Sequence, residues 1–137
     1  YEHKAVQVFA EWAVENVSKF LVSEGHIYSE RLWTGGITDC VAEMKDGQIA
    51  IIDFKSAKEA YFNHFVQAGG YSIQLKENGA FDPDGNKIFE PIEATVYIVF
   101  PFGSEEPKAE ARYDVDNFKQ SFEAALTLHK NKTAFEN

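Results

Sequence analysis

The segment IIDFKSAK, residues 51–58, constrains the fold most, because it has the composition of an interior strand and yet carries two opposite charges. Side chains alternate between the two faces of a strand, so Ile52 and Phe54 point one way while Asp53 and Lys55 point the other. The segment therefore predicts an acid and a base that project from one face of a buried element.

The size of the chain fits one folded unit. It has 137 residues, of which 45% are hydrophobic and 15% aromatic, enough for a single compact domain with a real core. We predict one domain over residues 1–137, and because the chain begins at Tyr1 without a Met, we expect that domain to be part of something longer. No apolar run approaches the roughly 20 residues that span a bilayer.

Charge and cysteine content limit the classes of function. The formal net charge is −9, from 13 Lys and Arg against 22 Asp and Glu, whereas the usual surface of a nucleic-acid binder is basic. A single cysteine, Cys40, excludes an internal disulfide and a cysteine-rich zinc or iron–sulfur site within this chain. We expect a cytoplasmic or other reducing intracellular compartment.

The apolar pattern predicts an α/β fold with the order α-β-β-β-α-β-α and one mixed central sheet flanked by helices. The predicted elements are a helix over about 3–23 that ends at Gly25, strands in HIYSERLW, GGITDCVAEM and QIAIIDFK, a helix over about 61–77, a turn-rich loop in NGAFDPDGNKIFEP, a strand in EATVYIVFPF, a polar connector in GSEEPKAEARYD and a closing helix over about 115–130.

The loop between the second and third strands decides whether Asp39 joins Asp53. A two-residue loop would set Asp39 opposite Phe54 and on the wrong face of the sheet. A three-residue loop over 45–47 sets the two aspartates directly across from each other, and it ends in a glycine, where a left-handed residue is usual. We predict the three-residue loop, which clusters both carboxylates with Lys55 on one face.

This cluster has the parts of a hydrolytic metal site. Two carboxylates on adjacent strands repel each other, and a divalent ion removes that cost; hard oxygen ligands select Mg²⁺ or Mn²⁺. Lys55 beside such an ion orients or deprotonates the attacking water, or neutralises charge in the transition state of phosphodiester hydrolysis. The alternative is a salt bridge between Asp53 and Lys55 at a strand end, with Asp39 in a turn.

Three motifs in this order, GGITD ending at Asp39, DFKS over 53–56 and QAGGY over 67–71, resemble the PD-(D/E)XK nuclease superfamily, specifically its RecB-like exonuclease branch. Residues 35–56 are most similar to mitochondrial genome maintenance exonucleases and phage-type exonucleases. The resemblance covers about 1–75 and implies a restriction-endonuclease-like core. It also implies a magnesium-dependent deoxyribonuclease, an exonuclease on single-stranded DNA or DNA ends in repair, recombination or replication, with a helicase or recombination factor as a further partner.

The resemblance assigns roles within the strand motifs. Asp39 and Asp53 are implied as the metal-binding carboxylates, and the backbone carbonyl of Phe54 as a further ligand. Lys55 is implied as the catalytic lysine.

Residues on the helices are also implicated. Gln67 and Tyr71 are implied to lie beside the site and to hold Lys55 or a DNA phosphate. His3 lies at the end of the first helix where RecB-like enzymes often add a histidine ligand, and a frayed terminus is the alternative. Glu30 is expected either to support the site from the preceding strand or to face solvent.

The acidic balance has to be reconciled with DNA binding. Bound divalent ions would add positive charge where a phosphate sits, and Lys4, Arg31, Lys55 and Lys58 could ring the entrance. We therefore expect weak or partner-assisted DNA binding. Two rival functions stay open: a non-catalytic module of the same fold that binds DNA or protein, and a restriction-type endonuclease, for which the short chain shows no recognition insertion.

Overall fold

The computed structural model describes residues 2–54, 62–100, 108–112 and 115–136. Side chains are described for residue 7 and for residues 9–54, 62–99 and 115–136. Within these ranges the protein is α/β. Its elements are α1 (Glu2–Asn16), β1 (Val17–Ser29), β2 (Thr34–Met44), β3 (Ile49–Phe54), α2 (Phe62–Asn78), β4 (Ala80–Phe81), β5 (Lys87–Phe89), β6 (Thr95–Phe100), β7 (Lys108–Arg112) and α3 (Asp116–Glu136). Among these helices none is long and apolar enough to cross a membrane.

The strands form one mixed sheet in the order β5-β4-β1-β2-β3-β6-β7, in which β3 and β6 run parallel and the other neighbours run antiparallel. Helix α1 covers one face, where Trp12 packs in a cluster with Ile52. Helix α2 covers the other face, where Leu75 packs with Ile51, and α3 joins that layer through Phe118. The successive isoleucines of β3 therefore face opposite layers, as strand alternation requires.

The hairpin of β2 and β3 has the predicted loop. Cys40 pairs with Ile52, and the same register runs to the turn, where the amide of Met44 donates to the carbonyl of Gln48 at 2.8 Å. Gly47 has a φ of 88°, a left-handed conformation that favours glycine. The three-residue loop over 45–47 is confirmed.

The first helix is shorter than predicted. It ends at Asn16, and β1 begins at Val17 where the pattern predicted continued helix to about 23; Gly25 lies inside β1. The register of β1 on β2 shifts between Val17 and Lys19 and again before Val22. Because of these irregularities the next buried residue after Val17 is Val22, so this part of β1 lacks the alternation that indicates a strand.

Two segments predicted as irregular contain short strands. The turn-rich loop holds β4 and β5, and the polar connector holds β7. The predicted strand HIYSERLW also ends early, because residues 30–33 form the turn of the β1–β2 hairpin. The three strands that were not predicted, β4, β5 and β7, lie at or next to an edge of the sheet. At an edge, pairing with a neighbouring strand can hold a short polar segment extended even when its sequence does not alternate between apolar and polar residues.

The paired glycines of α2 make room for α3. A Cβ atom at Gly70 would lie 2.5 Å from the ring of Phe122, and one at Gly69 would lie 2.8 Å from the backbone of Phe118. Paired glycines within a helix indicate either close packing or the approach of a partner backbone. The structure shows close packing against α3, which offsets the roughly 1 kcal/mol that each glycine costs a helix.

We expect Gly70→Ala to lower the free energy of unfolding by about 1–3 kcal/mol, because the overpacking exceeds the roughly 1 kcal/mol gained in helix propensity. Urea denaturation measures this loss. Adding Phe122→Leu should restore part of it, since the added methyl meets only the ring. Gly69→Ala should not be rescued by Phe118→Leu, because its methyl meets backbone; equal rescue at both positions would contradict this account.

Candidate active site

The two aspartates meet where β2 and β3 lie side by side. The pair Cys40–Ile52 is the last in the β2–β3 ladder, and one further step in the same register sets Asp39 opposite Asp53. The backbone amide of Phe54 donates a hydrogen bond of 2.9 Å to Oδ2 of Asp39. Asp53 is only 4% exposed, and Asp39 is partly buried. The observed register agrees with the predicted one, which sets Asp39 across from Asp53.

Tyr71 of α2 lies near enough to Asp39 and Asp53 for their charges to act on its phenol. The pKa of its phenol is raised, first by burial and then by the negative charges of Asp53 and Asp39. Because an anion beside two carboxylates is unfavourable, the phenol stays protonated and keeps its O–H as a hydrogen-bond donor. Tyr71 of the QAGGY motif therefore lies near the aspartates of the GGITD and DFKS motifs.

Cys40 is not part of this chemistry. It is 5% exposed and packs in the cluster on the α1 side of the sheet. Burial, together with the charge of Asp39, raises the pKa of the thiol to about 12. A thiol that stays protonated at neutral pH is a poor nucleophile. We therefore assign Cys40 no catalytic role, although it follows Asp39 in the sequence.

The donor set at this point fits a hard divalent ion. In the part of the chain that the structure describes, no three His, Cys, Asp or Glu side chains are placed to hold a metal together. What the strand ends offer is two carboxylates, beside the backbone carbonyl of Phe54. Mg²⁺ commonly binds through one or two carboxylates and keeps several waters, which a substrate phosphate can replace. A site for Mg²⁺ or Mn²⁺ fits these residues, whereas a closed structural zinc site does not.

Other predicted site residues are placed to different degrees. Gln67 is exposed on α2, one turn before Tyr71 and so on the same side of the helix. Lys55 and the side chain of His3 lie outside the described residues, so their predicted roles stay predictions. Glu30 lies in the turn after β1 and is exposed, which corrects its placement on the strand.

Two buried polar residues were not predicted. Gln74 is 2% exposed and Thr38 is fully buried, and within the described residues neither the Oε1 of Gln74 nor the Oγ1 of Thr38 has a hydrogen-bond partner. A signal existed in the sequence, because Gln74 follows Tyr71 by three residues and so lies on the same side of α2. Buried polar groups without a structural partner are uncommon and often belong to functional sites.

Gly36 brings these side chains against the sheet. A Cβ atom there would lie 2.9 Å from Cε1 of Tyr71 and 3.5 Å from Oε1 of Gln74. Thr38, two residues further along β2, is fully buried. The glycine of the GGITD motif therefore leaves the space in which the tyrosine ring and the glutamine amide lie.

Arg31 is not available to a phosphate in the way that the sequence suggested. One guanidinium nitrogen lies 3.0 Å from Oε2 of Glu77 and 2.9 Å from Oε1 of Glu123. These two hydrogen bonds raise the pKa of the guanidinium. Its charge ties the β1–β2 turn to α2 and α3.

At this level the fold and site define an α/β protein with a pair of converging carboxylates at the end of two adjacent strands. No protein-family model matches the chain, and no curated protein matches it significantly.

We expect Gln74→Met to change the free energy of unfolding by no more than about 1 kcal/mol, because the described residues provide no donor for Oε1 and the side chain keeps its length. Leu75→Ala, at a fully buried neighbour, is the reference and should lose about 2–5 kcal/mol. Chemical denaturation of both variants checks this. A loss of more than about 2 kcal/mol in Gln74→Met would show that the amide is a structural group.

Proposed function

We propose that this chain is a metal-dependent DNA nuclease with a restriction-endonuclease-like core, and that it acts as an exonuclease on single strands or DNA ends. The observation that supports the proposal most is the convergence of Asp39, Asp53 and Tyr71 at one end of the sheet. A protein gains nothing in stability from two like charges held beside each other, whereas a phosphodiesterase needs them.

The element order is consistent with this core. The observed chain follows α-β-β-β-α-β-α once the short strands β4, β5 and β7 are set aside. Asp39, Asp53 and Tyr71 come from β2, β3 and α2, which agrees with what the three resembling motifs imply.

The residues divide the work of hydrolysis as follows. Asp39, Asp53 and the carbonyl of Phe54 would hold Mg²⁺ or Mn²⁺, which when bound acts as a Lewis acid and lowers the pKa of a coordinated water. Lys55 accepts the proton of the attacking water or neutralises charge on the phosphorus centre. Tyr71 keeps its proton and donates a hydrogen bond to a phosphate oxygen.

In the reaction, the water oxygen forms a new bond to phosphorus while the bond from phosphorus to the leaving sugar oxygen breaks. The leaving oxygen takes up a proton, and the products are a phosphomonoester and a free hydroxyl. Gln67, one turn from Tyr71, would position Lys55 or the phosphate from the helix side.

The first test is cleavage. We expect end-labelled single-stranded or double-stranded DNA to be degraded in the presence of Mg²⁺ or Mn²⁺, and we expect Lys55→Ala and Asp53→Asn to slow cleavage at least about 100-fold, the usual contribution of such groups. Gel analysis of the products distinguishes end-wise degradation from internal cuts.

Asp84→Asn provides a matched control, because Asp84 is an exposed aspartate in the β4–β5 turn. It should cleave at the rate of the unchanged chain. No cleavage with any divalent ion would sink the nuclease proposal and favour a non-catalytic binding module. Discrete internal fragments would favour the endonuclease alternative.

The second test measures metal binding without substrate. We expect Mg²⁺ or Mn²⁺ to raise the free energy of unfolding, by about 2.7 kcal/mol when the free ion is at 100 times its Kd. Asp39→Asn and Asp53→Asn should lose this gain, and Asp84→Asn should keep it. Thermal unfolding with and without a chelator checks the expectation; a gain of equal size in all variants would place the metal elsewhere.

A further inference from the structure

Helix α2 buries two polar side chains, Ser72 and Gln74, and they differ in their hydrogen bonding. Oγ of Ser72 donates a hydrogen bond of 3.4 Å to the carbonyl of Ala94. Oε1 of Gln74 accepts none from the described residues. A buried amide oxygen without a donor lowers stability, and an apolar side chain of similar shape would avoid that loss. The stability of the fold therefore accounts for Ser72 but gives no reason for a glutamine at position 74.

The amide of Gln74 lies beside the ring of Tyr71. A Cβ atom at Gly36 would lie 2.9 Å from Cε1 of Tyr71 and 3.5 Å from Oε1 of Gln74, so Cε1 and Oε1 are no further apart than these two distances together. Cδ1 of the ring is 3.5 Å from the same point. The nearest ring atom is therefore Cε1, the neighbour of the carbon that carries the hydroxyl. Tyr71 and Gln74 are also three residues apart on a helix, where side chains are neighbours.

An amide suits this position because it is polar without being charged. The negative charges of Asp53 and Asp39 already act on the phenol of Tyr71. A glutamate at position 74 would add a third negative charge, and a methionine would provide no N–H donor. A glutamine provides a hydrogen-bond donor and an acceptor and leaves the charge of the site unchanged.

The phenol of Tyr71 needs a neighbour of this kind if it is to donate to a phosphate. A hydroxyl rotates freely about its C–O bond and can accept one hydrogen bond while it donates another. Rotation about the last side-chain bond of Gln74 exchanges Oε1 and Nε2, so the amide can donate N–H to the phenol oxygen. Such a chain of hydrogen bonds polarises its members and strengthens the outer donor. Catalytic hydrogen bonds are often unformed without substrate and tighten when it binds.

We propose that Gln74 is a positioning residue of the candidate active site. Its buried amide donates to the phenol oxygen of Tyr71 in the substrate complex and so directs the phenol O–H to the phosphate that is cleaved. This inference rests on the proposed nuclease function, and it adds a residue that lies outside the three motifs GGITD, DFKS and QAGGY.

The test is a double-mutant cycle with Tyr71. We expect Gln74→Met to lower kcat about 2- to 10-fold, the contribution of one neutral hydrogen bond, and to change KM less. In a chain that already carries Tyr71→Phe, Gln74→Met should lower kcat no further, because the hydroxyl on which the amide acts is gone. Rates of cleavage of end-labelled DNA with Mg²⁺, measured over a range of DNA concentrations, give both constants.

Ser72→Ala provides the matched control, because it also removes a buried polar group from α2. It should lower stability, since the carbonyl of Ala94 loses its donor, and it should leave kcat unchanged. Urea denaturation shows that each variant is folded under the conditions of the assay. An equal loss of kcat from Gln74→Met with and without the Tyr71 hydroxyl would show that position 74 acts through packing, and would overturn the proposal.

A second readout does not require cleavage. Tyr71 is one of six tyrosines, and in a chain labelled with ¹³C-tyrosine its Cζ resonance is the one that Tyr71→Phe removes. Thymidine monophosphate added with Mg²⁺ should shift this resonance, because the phenol then donates to the phosphate. The shift should be smaller in Gln74→Met and unchanged in Ser72→Ala.

The outcomes separate this inference from the nuclease proposal. Cleavage that Gln74→Met does not slow would support the nuclease and reject the role of Gln74. A Cζ shift that is reduced in Gln74→Met, in a chain that cleaves no DNA, would support the role of Gln74 at a bound phosphate and reject the nuclease. A chain that neither cleaves DNA nor shows a response of Tyr71 to the nucleotide would reject both.

Discussion

The register of the β2–β3 hairpin is the constraint on which the site depends. It is set by a three-residue turn in which Gly47 takes a left-handed conformation and Met44 bonds to Gln48. A loop shorter by one residue would move every side chain of β3 to the other face. Ile51 would then leave the layer under α2, and Asp53 would enter the apolar cluster on the side of α1. The register that buries the apolar side chains of β3 is therefore also the register that sets Asp53 across from Asp39. Only the apolar packing stabilises that register.

The layer formed by α2 and α3 positions Tyr71 beside the β2–β3 hairpin. Gly69 and Gly70 let α3 pack closely on α2, and this fixes the helix that carries Tyr71. Gly36 removes the side chain that would otherwise separate that ring from β2. These three glycines leave room for α3 on α2 and for the Tyr71 ring on β2, and a methyl group at any of them would require its neighbours to shift.

Strong local signals in the sequence were sufficient for part of this arrangement. The hairpin, the extent of α2 and the meeting of Asp39 with Asp53 all follow from alternation and turn chemistry, which act over a few residues. The boundary of α1 at Asn16 did not follow, because the shifts of register in β1 depend on its partner strand. The burial of Gln74 beside Gly36 depends on how α2 crosses the sheet, a tertiary property for which spacing alone indicates only the helix face.

The electrostatics of the site link the tyrosine to a cation. Asp39 and Asp53 raise the pKa of Tyr71 in addition to the effect of burial. A divalent ion between the carboxylates would lower the pKa of the phenol, because it would offset their negative charge. By linkage, ionisation of the phenol would strengthen binding of the ion. At neutral pH the phenol is nevertheless protonated, since its ordinary pKa of about 10 lies well above that range. In the proposed hydrolysis Tyr71 therefore acts as a hydrogen-bond donor, and the removal of a proton from water is assigned to Lys55.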